Sequence, residues 1–142
     1  MTVPEAAPRL RSFLRLAIGI VLIATAAGKF LDLTGFAHIL GEYRAFPEKL
    51  LPPLAVAVPS LELLLGVWLF TGRNLRAAAL ASAALHFGYA AWSAISVQRG
   101  LRLSNCGCFG IFLARPLGWS TVVEDLAMVT ASLGLFALAK RP

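Results

Sequence analysis

Four long apolar stretches, each about 20 residues in length, alternate with polar segments along the chain. A helix of that length is about 30 Å long and matches the apolar thickness of a bilayer. The pattern therefore predicts an all-α fold, an integral membrane four-helix bundle that forms a single transmembrane domain over residues 1–142. The predicted spans cover about residues 13–31, 52–70, 75–97 and 119–139.

The first long loop carries apolar residues at helical spacing. Phe36, Ile39, Leu40 and Tyr43 fall on one face of a helix within residues 32–51. Such a face, next to polar neighbours, is typical of a helix lying at the membrane interface. We expect a short interfacial helix in this loop.

Composition places the chain in the membrane class. Hydrophobic residues make up 58% of the sequence and charged residues only 14%, far from the balance of a soluble domain. The net charge of +6 would suggest a nucleic-acid partner in a soluble protein, but the basic residues stand at the ends of apolar stretches and form no patch. The expected partner is the lipid bilayer, and no nucleic acid is expected.

The first apolar stretch has a second interpretation. Its sequence Ala24-Thr25-Ala26 follows a basic segment and is similar to a signal-peptidase site. Small residues such as Gly19 and Gly28 also suit close helix packing. We therefore favour a retained first span over a cleaved signal.

The distribution of basic residues predicts the orientation. Seven of the 13 lysines and arginines lie near the termini or in the turn that carries Arg73 and Arg76. Basic segments stay in the cytoplasm, so both termini are expected inside a bacterial-type inner membrane. The loop between the third and fourth spans would then be extracytoplasmic, where disulfides persist.

Both cysteines lie in that loop, as Cys106-Gly107-Cys108. Their Cα atoms are roughly 5.5–7 Å apart, at the edge of disulfide range, and Gly107 lets the backbone bend. A bond closing so small a loop removes little entropy from the unfolded chain and is a labile, oxidising disulfide. The spacing therefore indicates a reversible redox pair as the catalytic residues. Two inert loop thiols are the alternative.

A soft-metal site is a third interpretation of the cysteines. Two thiolates can hold Cu(I) or contribute to a zinc site, so Cys106 and Cys108 are also candidate metal ligands. A closed zinc site needs four ligands, and the histidines that could add to it are His38 and His86.

Charged side chains inside the predicted spans are further candidates. Glu62 and His86 both fall near the midplane on consecutive spans, where ionisable residues pair, line a cavity or carry protons. We expect a Glu62–His86 hydrogen bond. Lys29, Glu124 and Asp125 come near the outer surface, where we expect an ion pair clamping the first and fourth spans, or residues that tune the thiols.

Arginines flank the cysteine pair. Arg102 precedes it and Arg115 follows it in the same loop. A nearby positive charge stabilises a thiolate, so both are candidate supporting residues. We also expect Phe109, Ile111, Phe112 and Leu113 to fold back onto the bundle and cover the loop, because they are too apolar for a free loop.

Several motifs together resemble a known family. They are Gly28-Lys29-Phe30-Leu31-Asp32 with Gly35-Phe36, Tyr43-Arg44, Pro59 to Gly66 around Glu62, and Cys106-Gly107-Cys108-Phe109-Gly110. In this order they resemble the MauE branch of the DoxX-like membrane proteins, over nearly the whole chain. The resemblance implies a four-helix membrane bundle tied to redox chemistry. Members of the methylamine-utilisation branch, which are longer, are associated with maturation of a disulfide-rich periplasmic dehydrogenase subunit.

The function predicted from sequence is therefore that of a membrane thiol–disulfide oxidoreductase. Cys106 and Cys108 would exchange electrons with an exported thiol protein or a thioredoxin-like partner. By analogy, a membrane quinone would accept the electrons. The alternatives are a soft-metal carrier that uses the two thiolates as ligands and a non-catalytic assembly scaffold.

Overall fold

The computed structural model describes residues 3–139, and over this range the chain is helical, with no strand. This confirms the predicted all-α fold. Four of the helices are long and apolar enough to cross a membrane. The helices are α1 (Val3–Phe30), α2 (Leu33–Glu42), α3 (Leu51–Thr71), α4 (Leu75–Gln98) and α5 (Trp119–Leu138), with a 3₁₀ turn at Glu48–Leu50 before α3.

The first helix is longer than the predicted first span. α1 begins at Val3, whereas the apolar stretch predicted a span from about residue 13. Hydropathy marks the part of a helix that suits lipid, and it does not mark where the helical backbone begins.

The long helices pack as two pairs. α1 packs most extensively against α3, and α4 against α5. Smaller contacts between α1 and α5 and between α3 and α4 close the ring. Although a tight turn joins α3 to α4, these two helices touch over a small part of their surfaces, so the pairs are set by side-chain packing and not by order in the chain.

Glycines bring α1 and α3 together. A Cβ atom on Gly66 would lie 2.8 Å from Ile23 and 3.1 Å from the carbonyl oxygen of Gly19. Small residues permit this close approach of two helices, which is how helices associate in lipid.

Apolar side chains fill the bundle at the end near the α3–α4 turn. This core comprises Ile18, Leu22, Leu65, Leu69, Ala78, Ala79 and Leu135. A second cluster lies at the opposite end, around the cysteine loop, and consists of Ile39, Tyr43, Cys106 and Leu117. The bundle is thus closed by ordinary packing at one end and by a helix and a loop at the other.

The helix predicted in the first long loop is present as α2. The Asp32 carboxylate accepts a hydrogen bond of 2.7 Å from the backbone N–H of Gly35 and caps the helix. Phe36 and Ile39 are buried, and α2 packs on α3 and α1. Its apolar face therefore covers the bundle.

The packing of the glycines yields a matched pair of substitutions. Gly66→Ala should lower thermal stability, by about 1–3 kcal/mol, because the added methyl has no room against α1. Gly88→Ala should not, because a Cβ there meets nothing within 4 Å and alanine favours a helix. Thermal unfolding followed by circular dichroism in detergent compares them, and equal losses would contradict this packing.

Candidate functional site

A buried ion pair lies at the centre of the molecule. The Lys29 ammonium is 3.0 and 2.9 Å from the two carboxylate oxygens of Glu62, and the residues are only 4% and 1% exposed. The pair joins the end of α1 to the middle of α3. Because isolated charges in a membrane interior are very unfavourable, each of these two groups requires the other.

Tyr89 of α4 completes this group. Its hydroxyl donates a hydrogen bond of 2.8 Å to Oε1 of Glu62. The carboxylate is therefore held from both α1 and α4, and it links the two helix pairs. The predicted Glu62–His86 hydrogen bond is wrong, since Glu62 is bonded to Lys29 and Tyr89.

His86 has partners of its own. Its Nδ1 is 2.9 Å from the carbonyl oxygen of Ser82, one turn earlier in α4. A carbonyl only accepts, so Nδ1 is the donor in this hydrogen bond. The Ser82 hydroxyl also lies 2.9 Å from that of Ser132, which ties α4 to α5.

The predicted clamp between the first and fourth spans is also wrong. Lys29 pairs with Glu62 of α3, and Glu124 of α5 pairs with Arg115 in the cysteine loop. The lysine ammonium is also 3.5 Å from the Thr25 carbonyl, one turn back along α1. A lysine side chain that folds back in this way reaches deeper into the bundle than its Cα position suggests. Asp125 lines the interior cavity described below.

Hydrogen bonds hold the backbone of the cysteine loop. The Tyr43 hydroxyl donates to the Cys106 carbonyl at 2.6 Å, and the Lys29 ammonium donates to the Cys108 carbonyl at 2.7 Å. The backbone N–H of Cys106 donates to the carbonyl of Arg115 at 2.7 Å. The ion pair that links α1 to α3 therefore also fixes the position of a cysteine.

Two glycines allow this loop to lie on the helices. Gly107 and Gly110 have φ values of +81° and +74°, which side chains disfavour. A Cβ on Gly107 would press on Ile39 and Phe36 of α2, and one on Gly110 would meet the backbone of Gly28 at the end of α1. The loop thus packs its backbone directly against α1 and α2.

The side chain of Asn105 supports the same turn. Its amide nitrogen donates to the Gly110 carbonyl at 3.0 Å, and its oxygen accepts from the backbone N–H of Gly107 at 2.9 Å. The cysteine pair is therefore held in a preformed turn and is not part of a free loop.

The covering of the loop differs in part from the prediction. Phe109 is half-buried and Ile111 packs on the cluster around the cysteines. Phe112 and Leu113 are 63% and 55% exposed, so their predicted burial is wrong. Tyr43, Ile39 and Leu117 pack around Cys106 instead. The side chains of Phe112 and Leu113 therefore face outward.

The two thiols are chemically different. Both cysteines are free. The pKa of Cys106 is lowered to about 6, mainly by a hydrogen bond from the Cys108 thiol. The Cys108 backbone N–H, 3.4 Å from the Cys106 sulfur, and the positive charge of Arg115 lower it further, whereas burial raises it. The hydrogen bond to Cys106 and burial raise the pKa of Cys108. The surroundings therefore favour the thiolate at Cys106 and the thiol at Cys108.

The arginines contribute unequally to this arrangement. Arg115 lines the interior cavity and lowers the pKa of Cys106. Arg102 is exposed and lies outside that lining. Of the two predicted supporting arginines, Arg115 is the one near the thiols.

A cavity of about 670 Å³ lies beneath the cysteine loop. Its lining is mostly apolar and comes from all the helices, with both cysteines and Gly107 at one end. Lys29, Glu62, His86, Glu124 and Asp125 also line it. The sequence-predicted candidates, Arg102 excepted, therefore surround one space although they do not pair as expected.

The ligands that a metal carrier would need are not clustered in the part of the chain that the structure describes. Over residues 3–139, no group of three or more His, Cys, Asp or Glu side chains is arranged to hold one metal ion. A metal at this site would rely on Cys106 and Cys108.

Sequence reasoning missed Tyr89 and the role of Tyr43. The Tyr89 hydroxyl donates a hydrogen bond to the Glu62 carboxylate, and the Tyr43 hydroxyl donates one to the Cys106 carbonyl. A tyrosine within an apolar stretch of sequence could have indicated these roles, because a buried tyrosine hydroxyl needs a hydrogen-bond partner.

The bundle and its loop define a class, that of small multi-pass membrane proteins with a paired-cysteine loop over a charged interior. The family model of the methylamine utilisation protein MauE matches residues 7–138. The chain belongs to this family, which confirms the resemblance in its motifs.

Curated relatives support this membership. The chain is 30% identical over 122 residues to methylamine utilization protein MauE of Paracoccus denitrificans, a match covering 86% of this chain and 66% of the relative. It is 29% identical over 130 residues to the protein of that name from Methylorubrum extorquens, covering 92% and 70%. The chain thus spans about two thirds of the length of these relatives. No solved structure matches it.

The buried ion pair can be tested by a double-mutant cycle. Lys29→Met or Glu62→Leu alone should destabilise the protein by about 3–5 kcal/mol, because each leaves one buried charge without its partner. The double variant should be more stable than either single variant, since it leaves neither charge behind. Unfolding in detergent measures this, and additive losses would show that the two groups do not depend on each other.

The thiol asymmetry predicts a pH dependence. In the reduced protein, alkylation of Cys106 by iodoacetamide should rise with pH around a midpoint near 6, because only the thiolate reacts and it is lost below that pKa. Cys108 should react only at much higher pH. Peptide mass spectrometry separates the two sites. Arg115→Ala should move the Cys106 midpoint upward, and midpoints near 9 for both thiols would contradict the assignment.

Proposed function

We propose that this protein is a membrane thiol–disulfide oxidoreductase that supports the maturation of an exported partner protein. The observation that carries the proposal is that Cys106 and Cys108 lie one residue apart in a turn fixed by the bundle, in surroundings that lower the pKa of Cys106 and raise that of Cys108. A structural thiol pair has no need of such electrostatic asymmetry, whereas an exchanging pair depends on it.

The asymmetry assigns a role to each sulfur. Cys108 is the more exposed of the two, and Cys106 is only 8% exposed. In the oxidised protein, a thiolate of the partner attacks the Cys108 sulfur, the Cys106–Cys108 bond breaks, and Cys106 leaves as a thiolate. A low pKa makes Cys106 a good leaving group. A second partner thiol then releases Cys108, so the partner gains a disulfide and the Cys106–Cys108 pair gains two electrons.

The surrounding residues act as positioning groups. Lys29 and Tyr43 hold the carbonyls of the two cysteines, Glu62 holds Lys29, and Arg115 favours the thiolate by its charge. Gly107 provides the backbone conformation that brings the two sulfurs together.

The family suggests the process that the protein serves. Its curated relatives are named for methylamine utilization, and we propose that this chain acts in the same process. Its partner would be an exported thiol protein or a thioredoxin-like protein. The basic turn at Arg73 and Arg76 supports an inner-membrane orientation with both termini in the cytoplasm and the cysteine loop outside. A membrane-impermeant maleimide that labels pre-reduced cells only after lysis would reverse this orientation.

The decisive experiment replaces the cysteines in a host that requires this protein to grow on methylamine. Cys106→Ser, Cys108→Ser and the double variant should abolish growth while the protein stays folded, because the bundle packs without a Cys106–Cys108 bond. Ser104→Ala, an exposed change in the same loop, is the control. Full growth of the double variant would refute the redox function. Copper or zinc bound at one ion per chain, and lost in that variant, would favour the metal carrier.

Trapping of the partner tests the order of events. In the Cys106→Ser variant, the Cys108 thiolate can attack the disulfide of an oxidised partner, and one partner sulfur leaves as a thiolate. Because no Cys106 thiolate is present to release Cys108, the mixed disulfide with the partner should accumulate. Cys108→Ser should accumulate less, because its remaining sulfur is buried. Non-reducing gels of acid-quenched cells reveal these species, and the reverse ranking would exchange the roles of the two cysteines.

A further inference from the structure

We infer that the cavity beneath the cysteine loop binds the head group of a membrane quinone, which receives electrons from the cysteine pair. This inference rests on the proposed redox function and extends it by assigning a binding site to the electron acceptor. A dithiol that repeatedly oxidises a partner must itself be reoxidised by a two-electron acceptor, and the cavity adjoins both thiols.

The size of the cavity fits a ring-sized molecule. Sites for small ligands typically enclose about 300–1,000 Å³, and this one encloses about 670 Å³. It extends along α4 from Trp92 to Ala84, a rise of about 12 Å. A single quinone ring therefore fits at the cysteine end and leaves room for the start of an apolar tail.

The charges on its wall favour an uncharged occupant. Its two cationic side chains, Lys29 and Arg115, are paired with Glu62 and Glu124 respectively. Acceptors that carry phosphate, such as nicotinamide and flavin nucleotides, need cations or free N–H groups to hold that charge. A quinone carries no charge, and its ring and tail match a mostly apolar lining.

The position of the cavity favours a ligand that arrives through the bilayer. Ala84 and Gly88 line it and are themselves exposed, on the part of α4 that crosses the membrane. The lining also includes Leu54 and Val58 of α3, a helix that contacts α4 over only a small area. A molecule dissolved in lipid can enter between these helices.

The electron and proton balance closes with these groups. The Cys106 thiolate and the Cys108 thiol form an S–S bond, and the Cys108 S–H bond breaks. The pair releases two electrons and one proton to the quinone, and solvent supplies the second proton, replacing the one that Cys106 lost on ionising. The product is a hydroquinone. His86 lines the cavity, and its ring is a polar group that can hydrogen-bond a hydroxyl of this product.

The test measures binding of decylubiquinone to the purified full-length protein in detergent. Quenching of tryptophan fluorescence reports it directly, because Trp92 lines the cavity. Gly88→Leu should weaken binding about tenfold or more, because Gly88 lines the cavity and a leucine there would add four carbon atoms at its wall. Ala57→Leu, an exposed change on α3 outside the lining, should leave the affinity within about twofold.

The outcomes separate the binding site from the redox function. Saturable quenching that Gly88→Leu weakens and Ala57→Leu does not supports the cavity. Absence of saturable quenching, or equal affinity in both variants, overturns it, as does recovery of phospholipid alone from the cavity by native mass spectrometry. If the wild type binds decylubiquinone saturably and Gly88→Leu weakens that binding, while the Cys106→Ser/Cys108→Ser protein supports full growth, the redox function fails and the binding site stands.

Discussion

The Lys29–Glu62 ion pair is the interaction on which the rest of this molecule depends. It lies almost fully buried where α1, α3 and α4 meet, with Tyr89 bonded to the same carboxylate. Removing either charge would leave the other in an apolar interior, which is far less favourable than having neither. The lysine also bonds the Cys108 carbonyl. One buried group therefore contributes both to the association of the helices and to the position of the cysteine loop.

The helices and the cysteine loop as a candidate site could be predicted from sequence, but the pairing of the charges could not. Apolar stretches of span length identified the four long helices, and two cysteines separated by one glycine identified the redox candidate. Depth in the membrane was estimated from position along each helix, which placed Lys29 near the surface and Glu62 beside His86. The estimate neglected the reach of a lysine side chain, which folds back by one turn to Glu62.

The chemistry of the loop arises from packing as much as from the identity of its residues. Cysteines at this spacing in a free peptide would have similar pKa values. Here Tyr43 and Asn105 fix the backbone, and the burial, donors and charge around the sulfurs differentiate the thiols. Such three-dimensional effects depend on which groups are brought near the loop, and local sequence spacing does not reveal them. For the same reason, the burial expected for Phe112 and Leu113 was wrong.

The contact between Gly28 and Gly110 has a consequence for how sequences of this family can diverge. The two residues touch backbone to backbone, so a side chain at either position would displace the cysteine turn from α1. A similar constraint applies to the adjacent Lys29 and its partner Glu62, because burying either charge without the other is unfavourable. A substitution in one of these segments should therefore be accompanied by a substitution in the other, although the segments lie far apart in the chain. Divergent members should retain or lose these residues as sets, while the lipid-facing positions between them vary freely.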